Sequence, residues 1–326
     1  MINHFMRYYQ VYKFIKLLLY FSIPLMILMI LVIYIDPYNI IRKEKNQTLI
    51  ELKEISSKVN YPLAALQKYT NTPSDTIILG DSRAASLNEK FFKEITHKNV
   101  TNLAYGGGTL QEAIDTFWIV SKIYVPKEVY MGVNFNLYNA LNNKNRVLEA
   151  NKIRSSLSSY LFSKYCIKST LLILKSYITQ EKVSIERPSM TREEFWKYQL
   201  DISGPYFFEN YKYPVAYFKE LQKISEYCHK NKIRLTIFIP PTHIELQLKI
   251  KEYKLEKEYK KFLDNLQSLG FPVYNFNFSN EMTVNKDNFN DPFHFNHSFA
   301  KAIIRIITRD SKYMQMFHEE YRLFNQ

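Results

Sequence analysis

Glycine is scarce in this chain, seven residues in 326, and there are only two cysteines, Cys166 and Cys228. Two cysteines make neither a disulfide framework nor a zinc site, and their spacing does not say whether they pair. No cluster of acidic residues or histidines has metal-ligand spacing, so no metal and no cofactor is expected. The formal charge of +13 comes without zinc-finger spacing, an RNA-recognition signature or a basic helix with interleaved base-stacking aromatics. A nucleic-acid partner is therefore not expected. The lysines are scattered over helix-like segments, which reads as a solvated basic surface, with an anionic membrane or polymer as the remaining partner classes. The 26 tyrosines and 23 phenylalanines show no repeat. What is present is ordinary for a folded protein, 46% hydrophobic and 23% charged residues, in a length that suits one large domain or two modest ones.

Charge is missing altogether from Leu17 to Ile35, nineteen residues reading LLLYFSIPLMILMILVIYI. That run is just long enough to span a bilayer. A secretory signal would be shorter and end in small residues, whereas this one ends in Tyr34-Ile35-Asp36-Pro37-Tyr38. The sequence thus predicts an uncleaved anchor within 1–37, a charged, partly helical stalk over 38–73, and a catalytic-type domain over 74–326. Arg7, Lys13 and Lys16 precede the span and Arg42, Lys43 and Lys45 follow it, so the positive-inside count is nearly balanced.

From residue 76 the chain alternates between short apolar runs and helical periodicity. Expected strands are Thr76–Leu79, Val100–Leu103, Glu128–Val133, Arg234–Ile239 and Pro272–Phe276. Expected helices lie near Ala84–Glu94, Leu110–Ile123, Val215–Lys230, Ile244–Leu269 and Ser298–Thr308. A long polar insert, about 138–213, looks helical around 147–178 and 192–200 and adds no strand. Such alternation predicts an α/β fold, a three-layer sandwich around a parallel sheet of about five strands. Sites on such sheets lie at the carboxyl ends of the strands.

Three strand ends deliver chemistry there. The first is TIILGDSRAASLN over Thr76–Asn88, where Gly80 breaks the strand and Asp81-Ser82 sits at the break. A serine at a strand-to-helix turn is well placed as a nucleophile, and equally well placed as an ordinary N-cap. The second strand leads into Gly106–Gly108, and the third ends at Asn134. Near the C-terminus Asn290-Asp291-Pro292-Phe293-His294 precedes the last helix. Acyl transfer through serine needs a base and donors for the tetrahedral oxyanion. His294 can be the base and Asp291 can hold its other ring nitrogen. His297 is a rival base that begins the last helix, and Asp291 can also be no more than a cap. Arg83 and His243 are candidate substrate-binding residues, as is Arg187; isolated arginines are usually surface or ion-pair residues, and a buried structural role competes for His243.

These segments together resemble the SGNH, or GDSL, hydrolases. Gly80-Asp81-Ser82, Asn102-Leu103-Ala104-Tyr105-Gly106-Gly107, Gly132-Val133-Asn134 and Asp291-Pro292-Phe293-His294 are similar to that superfamily's four blocks, in its order, over about 75–137 and 215–310. The resemblance implies a flavodoxin-like sheet, Ser82 as nucleophile with Asp291 and His294 completing a triad, and Ser82, Gly107 and Asn134 as oxyanion donors, with Gly106 as alternative to Gly107. Two positions depart from the pattern: Arg83 stands where leucine normally follows the serine, and Phe135 where aspartate normally follows the asparagine. The anchor, the Asp81-Ser82-Arg83 variant, the insert and the Ile239-Pro240-Pro241-Thr242-His243 turn are similar instead to membrane-anchored bacterial envelope proteins, those of alginate O-acetylation and of D-alanyl transfer to lipoteichoic acid. That likeness implies an acyltransferase or esterase facing away from the cytoplasm, an envelope polysaccharide or teichoic-acid-like acceptor, and a multispanning membrane-bound O-acyltransferase as partner. Two other readings stay open at this point: a non-catalytic scaffold that assists such an acyltransferase or grips a polymer, and a phospholipase or thioesterase at the membrane.

Overall fold

The computed structural model describes residues 2–181 and 190–309. Its contacts divide them into two units, 2–67 with 150–181, and 68–149 with 190–309. Arg187 lies outside the described residues.

The first elements are helices α1 (Ile2–Ile35), α2 (Gln47–Val59) and α3 (Tyr61–Asn71), and the boundary between the units falls inside α3. The second unit then begins with β1 (Thr76–Leu79), α4 (Ser82–Ala85), α5 (Glu89–Thr96), β2 (Val100–Asn102), α6 (Leu110–Ile123) and β3 (Glu128–Gly132). Helices α7 (Val147–Ser155), α8 (Leu157–Leu161) and α9 (Lys164–Thr179) carry the chain back to the first unit. Serines 156 and 163 cap α8 and α9 and so break into pieces what periodicity alone suggests is one helix. Next come α10 (Arg192–Tyr198), a π-turn (Gln199–Ser203), α11 (Gly204–Phe208), α12 (Val215–Lys230) and β4 (Arg234–Ile239). The remainder is α13 (Ile244–Glu252), α14 (Glu256–Gln267), β5 (Val273–Asn275), α15 (Glu281–Val284), the hairpin β6 (Phe289–Asp291) and β7 (His294–Phe295), and α16 (His297–Ile307). Lys254, at φ +56°, parts α13 from α14, so the single helix expected over 244–269 is two.

The sheet runs β2-β1-β3-β4-β5 and every neighbouring pair is parallel. The strands end where a flavodoxin-like order turns back, between β1 and β3, and this is the switch point at which such sheets bind ligands. Strands β1 and β3 are buried at every position, as a sheet covered on both faces requires. One cover is α16. Its buried residues Phe299, Ala300, Ile303, Ile304 and Ile307 make a stripe of helical spacing that packs in one cluster with Phe92 of α5 and Tyr130 of β3. Each large side chain of that stripe stabilises by about 1.5–3 kcal/mol. The pair β6–β7, expected as loop, is a hairpin whose tip is Pro292-Phe293. It is a short hairpin off the main sheet, and its alternation is too brief to be seen in sequence.

In the first unit α1 is apolar and long enough to cross a membrane from Gln10 to Ile35, 26 residues or about 39 Å at 1.5 Å per residue. The helix stops at Asp36, whose side chain is wholly buried. Its carboxylate accepts from the backbone N–H groups of Ile40, Ile41 and Arg42 and from the Tyr160 hydroxyl at 2.7 Å. A buried charge holding four donors is tolerated where an unpaired one would not be. Cys166 in this unit and Cys228 in the other are both buried free thiols, and burial raises both to about 12.

Candidate active site

The turn after β1 is built around Gly80. Its φ of +143° is open to glycine alone, and a Cβ there would lie 2.7 Å from the Ala84 Cβ and 3.1 Å from the Gly132 carbonyl. Asp81 follows in extended conformation and caps α4, accepting from the Arg83 N–H at 3.0 Å. The capping role considered for Ser82 thus belongs to Asp81. Ser82 is the first residue of α4, and its Oγ lies 2.7 Å from His294 Nε2.

His294 reaches Ser82 because of the β6–β7 hairpin. Asp291 and His294 are directly paired across it, with Pro292 and Phe293 forming the tip. Asp291 Oδ1 accepts from the Phe293 N–H at 2.9 Å, the local bond by which aspartate stabilises a turn. The same carboxylate receives His294 Nδ1 at 2.8 and 3.0 Å and the His294 N–H at 3.2 Å. A carboxylate only accepts, so the Nδ1 proton lies toward Asp291 and the Nε2 lone pair faces the Ser82 hydroxyl. Asp291 is buried while the His294 side chain is one-third exposed. The rival His297 opens α16 as an exposed residue, with Asn296 as the cap.

Arg83 is 2% exposed, and its guanidinium is held by Asp81 Oδ2 and by Asn136 Oδ1 at 3.0 Å. Its charge is neutralised within the fold at the floor of the site. Gly107 has φ +59° and borders the same cavity as Ser82 and His294. The glycine loop is fastened from behind: Arg146 donates to the carbonyls of Gly106 and Gly107 and to both oxygens of Glu112. Glu112, with no exposed surface, completes the capping box of α6 with Thr109. The Thr-x-x-Glu spacing was visible in sequence; the Arg146 partner, 34 positions away, had no local signal.

Asn134 heads the turn after β3. It is 3% exposed, and its Oδ1 has no hydrogen-bond partner among the described residues. Asn136, two residues on, borders the cavity of about 310 Å³ in front of Ser82. The opposite wall comes from the insert and the hairpin: Gln199 and Ser203 from the π-turn, Phe207, and Phe293 packed edge-on to it at 5.7 Å. Gln199, Ser203 and Phe207 were not singled out by sequence, because the insert carries no recognisable pattern; Phe293 lies in the block of Asp291 and His294, where it was given no role of its own. His243 is not in this cavity. It is 2% exposed, caps α13 through Nδ1, approaches the Val284 carbonyl at 3.2 Å through Nε2, and stands edge-on to Trp196 at 4.9 Å. A larger depression of about 780 Å³ opens among Glu128, Lys98 and Arg234 at the amino ends of β3 and β4. It holds none of the residues of the four sequence blocks, so size does not locate the chemistry here.

The arrangement can deprotonate Ser82, hold the resulting imidazolium against a buried carboxylate and return the proton to a leaving or attacking oxygen. Among the described residues no group of three or more His, Cys, Asp or Glu side chains could hold a metal.

No family model matches the chain, and no curated protein matches it. Among solved structures it is similar to one described as a candidate acylhydrolase from Bacteroides fragilis, with 12% identity, 82% of this chain and 97% of that chain covered, and a TM-score of 0.42. It is also similar to one described as a candidate platelet activating factor from Streptococcus pneumonia, with 8% identity, 83% and 98% covered, and a TM-score of 0.40.

Proposed function

We propose that this protein is a membrane-anchored serine acyl-transfer enzyme that modifies or deacylates a cell-envelope glycan or polymer. The observation that carries the reading is the unbroken chain Ser82 Oγ–His294 Nε2 at 2.7 Å and His294 Nδ1–Asp291 Oδ2 at 2.8 Å, opening on a cavity. Ser82 Oγ attacks the carbonyl of an acyl donor while its proton passes to His294. The tetrahedral oxyanion is met by the backbone N–H groups of Ser82 and Gly107 and by a side-chain amide after β3, where the resemblance puts Asn134. Collapse expels the donor's oxygen, protonated by His294, and leaves an acyl ester on Ser82. His294 then takes the proton of the acceptor hydroxyl, which attacks the ester and frees Ser82.

With a sugar hydroxyl as acceptor the enzyme is an O-acyltransferase, and with water an esterase. Transfer is favoured by helix α1, which is long and apolar enough to hold the chain beside a membrane, and by a site wall that includes Gln199 and Ser203, side chains suited to a hydroxylated ligand. In this reading the catalytic unit faces away from the cytoplasm, and a multispanning O-acyltransferase supplies the acyl group.

The test uses the full chain in detergent with p-nitrophenyl acetate, a fluorophosphonate probe and an envelope glycan. Labelling at Ser82, ester hydrolysis, and acetyl appearing on the glycan are expected from the wild type, and none from Ser82→Ala or His294→Ala. Hydrolysis that persists in Ser82→Ala refutes the acyl-serine route.

A further inference from the structure

We infer that Asn136 is a further oxyanion donor of this site, and that the Asp81–Arg83 pair exists to aim it; the inference rests on the acyl-serine reading above. Arginine has five N–H donors and no acceptor. The atom of Asn136 that meets Arg83 Nη2 at 3.0 Å is therefore its oxygen, whichever way the amide might otherwise be drawn. With the oxygen fixed on Arg83, the Nδ2 group is left on the other side of a side chain that borders the cavity with Ser82, Gly107 and His294. Nδ2 has no hydrogen-bond partner among the described residues. Asn136 is 5% exposed and borders the cavity, so this donor is left for water or for a ligand there. Asn134 offers no comparable anchor, since its own Oδ1 is unpartnered.

The rest of the device is equally buried. Arg83 is 2% and Asp81 5% exposed, and Arg83 Nε and Nη2 both reach Asp81 Oδ2, at 2.8 and 2.7 Å. Asp81 in turn caps the helix that starts at Ser82. One planar guanidinium thus ties the serine turn to the turn after β3, and the cavity between them is bordered by both Asn136 and Ser82. A lysine could neutralise Asp81 but could not fork to both partners. This accounts for one departure from the hydrolase pattern, the arginine after the serine, and gives it a partner in the asparagine two residues beyond Asn134. Asn136 touches the reacting oxyanion; Arg83 acts through it as a positioning residue.

Four variants of the full chain test this, with p-nitrophenyl acetate turnover, the rate of fluorophosphonate labelling and the melting temperature as readouts. Asn136→Ala should lower kcat about 10²-fold with KM little changed, the size and signature of losing one oxyanion donor. Asn136→Asp restores an acceptor for Arg83, so it should recover the melting temperature while kcat stays as low as in Asn136→Ala. Arg83→Lys should lower kcat about tenfold, and should lower it no further when added to Asn136→Ala. Recovery of kcat by Asn136→Asp, or Asn136→Ala within threefold of wild type, overturns the inference and leaves the acyl-serine reading standing. A wild type that neither labels nor hydrolyses overturns both.

Discussion

Two histidines in this protein each stand beside a carboxylate at the start of a local turn, and of the two His294 alone turns a ring nitrogen to a side-chain hydroxyl. His243 lies 3.3 Å from Glu245 and His294 2.8 Å from Asp291. The difference is in what their ring nitrogens face. His243 accepts the Glu245 backbone N–H at Nδ1 and meets the Val284 carbonyl at Nε2, so both nitrogens are committed to holding α13 and α15 together. His294 commits one nitrogen to Asp291 and turns the other to a hydroxyl at a cavity. A histidine next to an acid is thus no mark of catalysis; one nitrogen spent and one available is. The surroundings of His243 also favour its neutral form. Burial lowers its pKa, with Lys286 and Arg192 adding to the effect, while the Val284 carbonyl and Glu245 oppose it.

The contrast can be broken most severely at His294. His294→Ala should lower turnover of p-nitrophenyl acetate about 10⁴-fold or more, with a melting temperature close to wild type. Asp291→Asn should come next, with a loss of about 10²–10⁴-fold, because an amide at that position no longer fixes the tautomer. His243→Ala should do the reverse. Turnover should stay within about threefold, while stability falls by about 1–2 kcal/mol from the lost cap and the emptied space against Trp196, which a denaturant titration reads directly. The smallest effect is in pH. A histidine whose folded pKa is lowered stabilises fully above its unfolded value and loses that contribution as pH falls. Stability should therefore decline as pH falls below about 6.5, toward the lowered folded value, and His243→Gln should flatten that part of the curve. An unchanged slope in the glutamine variant would show that His243 is not the group responsible.

Much of the framework is legible in the sequence. The five strands, the serine at the first strand end and the glycines at the second all follow from short-range apolar runs and their breakers, and the sheet places them together at one end. The Asp291–His294 pair was visible for the same reason, being three residues apart. What escaped was whatever depends on partners far apart in the chain. Arg83 reads as a candidate for gripping an anionic substrate until Asn136, 53 positions on, is seen at its guanidinium. The insert reads as an appendage of the catalytic domain, yet Tyr160 bonds Asp36 across 124 positions and α8 and α9 group with the N-terminal helices. The π-turn that brings Gln199 and Ser203 to the cavity begins inside the helix expected over 192–200 and runs three residues past its end. No local propensity distinguishes it, since its register is set by what α10 and α11 pack against.

Ser82 and His294 are 212 positions apart, and that interval has a meaning in time. At about 5–20 residues per second, roughly 10–40 s of synthesis separate the two. Throughout that interval the hydroxyl of Ser82 is as inert as any other serine's, while the apolar α1 has already left the ribosome. In the acyl-serine reading, reactivity is switched on in a single late step, when the β6–β7 hairpin closes on a turn made long before it.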